Sequence, residues 1–375
     1  MRLLFVPILF WLLTFGGNPA SDQPVPENAD TLVLKWNKAY ADDTIDKAVI
    51  GLRWALSYSG AMLPDAPYAI VADSDQITIR LSDVGFDDQA MQYLVELHQK
   101  IKSSAEYQTT KSIDLGRYVA LLIGAPEHYY RITGVPENLD GLLAQYELSE
   151  SKGYVNNSAV SYEHRIIRFS EQQRLKQIFI TSEVDSITGQ IFEFETIDIM
   201  PNGQLRYAVF DANGTRINNA NPTHSNAGKP AKCMWCHESI IQPLFTAQKD
   251  FTGFLSYLDF KQKLTAENQA FHEQKMALKT GVDFLKTTQN TQTELLYISF
   301  MEPSAERLAL EWGMPLQQVK TLLAGLPAHV YPEFPFLGNL YDRNAVEPFA
   351  PFKGLPVSTH VREASVVEVN HLNHD

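Results

Sequence analysis

Apolar positions along this chain follow three successive rhythms. From 31 to 160 they return every three to four residues, as in Ile45, Ala48, Val49, Leu52 and Leu56, then Met91, Leu94, Val95, His98 and Ile101. That period places them on one face of a helix, and Asp43 stands where an N-cap would. His98 on such a stripe reads as a satisfied core histidine. A short strand is predicted over 77–81 and a buried helix over 113–123, ended by Gly124 and Pro126. From 161 to 215 the rhythm shortens to partial alternation, over 165–169, 175–181 and 190–200. The Asn202-Gly203 dipeptide then predicts a hairpin turn into a partner strand at 205–210. From 216 to 375 helical periods return, over 251–264, 267–286, 305–312 and 316–323.

The pattern predicts a multidomain α+β chain: a helix-rich α+β region over 31–160, an antiparallel β meander over 161–215 and an α-helical region over 216–375. Ahead of these, residues 3–15 form an apolar run behind Met1-Arg2, followed by Gly16-Gly17-Asn18-Pro19-Ala20. A positive start, a short apolar stretch and small residues read as a signal peptide over 1–20. The run is shorter than the roughly 20 residues a bilayer span needs. A Pro-rich polar linker occupies 21–30. An exported, periplasmic protein with no integral span in its mature chain is expected, with an uncleaved anchor as the alternative.

The composition includes 45% hydrophobic residues, enough for packed cores, and a formal charge of −13, from 31 basic and 44 acidic residues. Such a surface repels phosphate backbones, so nucleic acid is not an expected partner. The meander shows no clustered carboxylate pair, no Gly-rich phosphate loop and no nucleophile elbow. It reads as structural, or as a docking surface.

The only two cysteines stand in Cys233-Met234-Trp235-Cys236-His237. This is the attachment spacing of a c-type haem: each thiol can add to one vinyl group, and the adjacent imidazole can reach the iron. The polar, Gly/Pro-punctuated 226–232 stretch is not the buried strand that precedes a thioredoxin-like redox pair. No second Cys pair completes a zinc site, and a disulfide over so small a loop would staple little together.

Over these five residues and their flanks the sequence resembles the monohaem c-type cytochromes. The resemblance implies one covalently attached haem c, with Cys233 and Cys236 as thioether sites and His237 as proximal iron ligand. It also implies an all-α cytochrome c-like haem domain and dependence on the c-type haem maturation machinery. The partner would be a redox protein of the cell envelope. In that class a downstream methionine often supplies the second axial ligand. Met301 is the first choice, ahead of a helix, with Met314, Met276 and His272 as alternatives and His224 upstream. A thioether on iron would suit electron transfer, whereas an open sixth position would suit gas binding or peroxide chemistry. A haem-free envelope binding protein with a Cys233–Cys236 disulfide is the third reading. No catalytic residue is identified, and an electron carrier is favoured over a catalyst. Two further features read as ordinary structure. The helix-turn-helix pattern over 305–323 is a helical hairpin, and His371 and His374 belong to a polar terminus.

Overall fold

A computed structural model describes residues 30–171, 175–241, 245–286 and 288–357. The expected signal peptide over 1–20, all of the expected linker but residue 30, and His371 and His374 lie outside the described residues.

The N-terminal part builds a four-stranded sheet in the order β2-β3-β1-β4, packed among helices. Its elements are β1 (Thr31–Lys35), α1 (Ile45–Tyr58), β2 (Ile70–Asp73), β3 (Gln76–Arg80), α2 (Asp88–Ser103), α3 (Ala105–Thr110) and β4 (Ile113–Asp114). Then come α4 (Leu115–Val119), α5 (Pro126–Ile132) and α6 (Leu139–Leu143). β1 pairs antiparallel with β3 and parallel with β4. Thr44, not Asp43, caps α1; the Asp43 carboxylate instead accepts from the Ala39 amide at 2.9 Å. The helix expected over 113–123 begins as β4 and α4 and continues as a π-helical turn over Ala120–Gly124. Pro126 opens α5 instead of merely ending a helix, because its fixed φ suits a first helical turn.

The middle of the chain is a six-stranded antiparallel sheet in the order β10-β9-β8-β7-β6-β5. Its strands are β5 (Leu148–Val155), β6 (His164–Ser170), β7 (Ile178–Val184), β8 (Ile191–Ile199), β9 (Leu205–Asp211) and β10 (Arg216–Ile217). The Asn202 turn joins β8 to β9 and is not solvated: Asn202 is buried and its amide donates to the carbonyls of Ser57 and Ala61 at 2.8 and 3.0 Å. β5 escapes the sequence pattern because Ser149, Glu150, Ser151 and Lys152 break any alternation.

After β10 the described chain is helical. It forms α7 (Pro230–His237), α8 (Tyr257–Met276), α9 (Thr288–Met301), α10 (Ala305–Trp312), α11 (Leu316–Leu322) and α12 (Arg343–Val346). α8 is one helix where two were expected. α9 was not expected, because its last turns are buried on every side and carry no amphipathic period. The architecture is thus mixed α/β with two sheets. The C-terminal helices do not gather around a core of their own: one continuous core takes Leu34, Leu52, Phe169, Met234 and Phe300 from all parts of the chain. α10 to α12 add a smaller cluster around Leu308, Trp312 and Val346, and Val209, Ala220 and Ala227 form another.

Two close approaches seat these helices. A Cβ on Gly51 of α1 would lie 2.8 Å from the Gln292 carbonyl oxygen, so only glycine lets α9 lie against α1. A Cβ on Gly153 of β5 would lie 2.6 Å from the Phe260 ring, which fixes how near α8 comes to the sheet. Buried ion pairs tie the C-terminal helices to the N-terminal part and to one another. Arg307 grips Asp114 with two bonds of 2.8 and 2.9 Å, and Arg343 grips Glu311 with two of 2.7 and 2.9 Å. Among the described residues no helix is long and apolar enough to cross a membrane.

Candidate functional site

α7 is a two-turn helix with Pro230 at its start and His237 at its end. Its periodicity splits the motif between two faces. Ala231 and Met234 are buried in the core, while Cys233, Cys236 and His237 line a cavity. Immediately after His237 the chain turns at Glu238, whose φ of 49° and ψ of −114° are rare for a side-chain-bearing residue. Three bonds hold that turn: Glu238 N–H to the Met234 carbonyl at 2.8 Å, Ile240 N–H to the His237 carbonyl at 3.0 Å, and the Tyr207 hydroxyl to the Glu238 carbonyl at 3.2 Å. The Tyr207 ring lies 6.1 Å from the His237 ring. The motif helix therefore rests against β9, and its cavity face looks along the sheet.

The facing walls come from the sheet and from α8. Register puts Arg165, Ile167, Phe179, Thr181, Glu195 and Ile197 on one face of β6, β7 and β8, and all of them line the cavity. Phe260 and Leu264 of α8 close the apolar end. The cavity volume is about 100 Å³. Sites for drug-sized ligands run to roughly 300–1,000 Å³, so this is a slot whose walls must part to take a porphyrin.

The slot has a marked chemical state. Burial, followed by the nearby Glu195 carboxylate, pushes the Cys233 thiol well up, outweighing the help of Arg165 and Lys232. Burial, with Arg165 adding to it, pushes the His237 imidazole down to about 4, so it is neutral at physiological pH. Its Nδ1 is buried with no partner. No disulfide joins Cys233 to Cys236. Among the described residues no three His, Cys, Asp or Glu side chains gather as a metal-holding group. A haem iron does not need such a group, because the porphyrin itself supplies four donors.

Neither a family model, nor a curated protein, nor a solved structure matches this chain. The site must therefore be judged on its own chemistry.

None of the proposed second axial ligands lines the slot. Met301 is the last residue of α9 and 2% exposed, inside a helix and not in the extended run expected for it. Met314 packs against the small cluster between α10 and α11. Met276 ends α8 and is exposed, with His272 one turn before it on the same helix. His224 stacks on Phe192 at 3.9 Å and bonds Glu163 at 3.1 Å. Tyr331 and Phe334 pack on the main core and Phe336 is exposed, so these downstream aromatics do not line the slot.

One expectation is overturned here. The meander does contain a carboxylate cluster: Glu183, Glu193 and Glu195 gather around Arg165 on the slot side of the sheet. In Ile191-Phe192-Glu193-Phe194-Glu195 alternation assigns the glutamates to solvent. α7 and the chain leading into it cover that face, so Glu193 is 1% exposed. The available signal was Arg165, a lone cation in register with these acids.

Proposed function

We propose that this chain is an exported monohaem c-type haem protein that passes single electrons in the cell envelope. The observation that carries the reading is the convergence of both thiols and a neutral, half-buried imidazole on one slot. Cys233 and Cys236 would hold the porphyrin covalently, and His237 would offer its free nitrogen lone pair to the iron. Bound haem would supply a one-electron iron couple. Ile167, Phe179, Phe260 and Leu264 would exclude water from the ring, and the Glu238 turn would keep the imidazole aimed. The haem-bearing helix would work as part of a helical region leaning on a β-sheet. An envelope redox protein would be its partner, and the maturation machinery would load it.

A second reading is favoured by one specific observation. Among the described residues lining the slot, His237 is the one imidazole and there is no methionine. An iron held there would keep its far side open, as in a gas sensor or a peroxide-reactive protein.

Protein exported from a host with active c-type maturation decides between them. Haem surviving a denaturing gel, and lost in Cys233→Ala, is the expected result; no covalent haem sinks the proposal. A reduced spectrum unchanged by carbon monoxide indicates a six-coordinate carrier. A shift on adding it indicates the open iron.

A further inference from the structure

The polar end of the slot is a row of carboxylates served by one guanidinium. Strand register sets Arg165 opposite Glu183, Glu183 opposite Glu193, and Glu193 opposite Asp211. Glu183 is 0% and Glu193 1% exposed. Glu183 ion-pairs with Arg165 and accepts from the Ser161 hydroxyl. Glu193 accepts from the Asn221 amide at 2.7 Å through one oxygen, and its other oxygen is buried with no partner. Arg165 is already shared with Glu195, at 3.0 Å.

The other polar groups described beside the row have partners of their own. Ser225 donates to Glu195 at 2.9 Å, and Glu163 and His224 bond each other. Asp211 accepts from the Asn213 and Thr215 amides, while the Lys232 ammonium is tied to Asn226. The Cys233 thiol, on α7, is uncharged. Like charges set directly opposite in a dry site do not both ionise. One guanidinium divided between two carboxylates cannot neutralise a third. The row therefore titrates near neutral pH, where it can gain or lose a proton. Burial first, then Glu195, pushes Glu183 up to about 8 against the opposing pull of Arg165. Burial and Glu195 likewise push Glu193 up to about 7, against the Asn221 amide.

Arg165 and Glu195 belong both to this row and to the slot wall beside Cys233 and His237. Resting on the reading of a haem there, we propose that the Glu183–Glu193 pair takes up one proton for each electron the bound iron accepts and releases it on oxidation. The electron comes from a one-electron donor protein and the proton from water. One carboxylate becomes a carboxylic acid, so the buried charge does not change. Reduction removes a unit positive charge from the slot, and in low-dielectric surroundings that charge is felt across several ångströms. The pair then holds its proton more tightly, and by reciprocity the protonated pair makes the iron easier to reduce.

The test is a spectroelectrochemical titration of the haem-loaded protein between pH 5.5 and 9. The midpoint potential should fall as pH rises, by up to about 59 mV per unit, the one-electron equivalent of a tenfold change. In Glu183→Gln and in Glu193→Gln it should flatten while the absorption spectrum is kept. A flat wild-type potential, or a slope unchanged in both variants, overturns the proposal. Carboxyl-carbon NMR of the haem-free protein gives a second readout. A glutamate titrating above pH 6 that is absent from the variants supports the proton-binding row, and its absence from the wild type overturns it. Loss of the haem reading itself shows on the gel, before any potential is measured, and takes the proposal with it.

Discussion

On α2, His98 is 0% exposed with its Nε2 2.9 Å from the Tyr118 hydroxyl. Burial, with Lys102 adding to it, holds its pKa down at about 3. An unfolded histidine titrates near 6.5. Between those values the unfolded chain binds a proton that the folded chain refuses, so stability falls as pH drops below about 6.5. By pH 3 the cumulative loss reaches up to about 4 kcal/mol. NMR of His98 should show a neutral ring down to at least pH 4.5; a midpoint near 6.5 in the folded protein would refute this. Cys233 shows the same physics on a thiol. The thiolate is the reactive form, so in the haem-free fold iodoacetamide should modify Cys233 at least tenfold more slowly than after denaturation. Mass spectrometry of timed samples measures the ratio. Equal rates would mean that the slot is open in solution.

At the scale of elements, periodicity located α1, α2 and the strands of the meander, although the second half of α1 and nearly all of β7 are buried on both sides. α1 and α2 follow their apolar stripes, and β6 to β9 follow their alternation and the Asn202-Gly203 turn. It failed on α9, where Tyr297, Ile298, Ser299, Phe300 and Met301 are all buried and no polar face marks the helix. It also misjudged β8, whose glutamates point into the protein. Gly51 makes α9 possible, and this can be checked. Gly51→Ala should gain up to about 1 kcal/mol in helix propensity. It should lose more than that, for a net cost of about 1–2 kcal/mol, because its methyl would meet the Gln292 carbonyl. Urea denaturation reads the difference, and a stabilised variant would show that α9 can withdraw without penalty.

The whole molecule is tied together by charge as well as by its common core. Arg117, Arg307 and Arg343 all stand over the Phe300 ring, with guanidinium carbons 5.0, 5.4 and 4.0 Å from its centre. Between them they satisfy Glu106, Asp114, Glu311 and Glu347, joining α3 and α4 to α10 and α12. Burial alone would raise Glu311, but Arg343 and Arg307 overcome it and hold the carboxyl well below its usual range. Arg307→Leu would strand Asp114 and part of Glu311, at about 3–5 kcal/mol. Lys320→Ala at the exposed Lys320–Glu306 pair should cost less than about 1 kcal/mol. Denaturation midpoints compare the two directly, and similar costs would mean that the buried network does not act as a unit.

By itself the sequence determined the features that depend on neighbours along the chain. These are the periods of the amphipathic helices, the alternation and tight turn of the meander, and the Cys233-Cys236-His237 spacing. A helical turn sets that spacing whatever surrounds it. Tertiary structure alone decided which residues face the motif: Arg165, Thr181 and Glu195 lie far from it in sequence and reach it only through strand register. The same holds for the charge states. The positions of Glu183 and Glu193 well above ordinary carboxylates come from burial first and then from Glu195, brought beside them by strand register. Desolvation is a property of the space around a group, and no local pattern of residues records it.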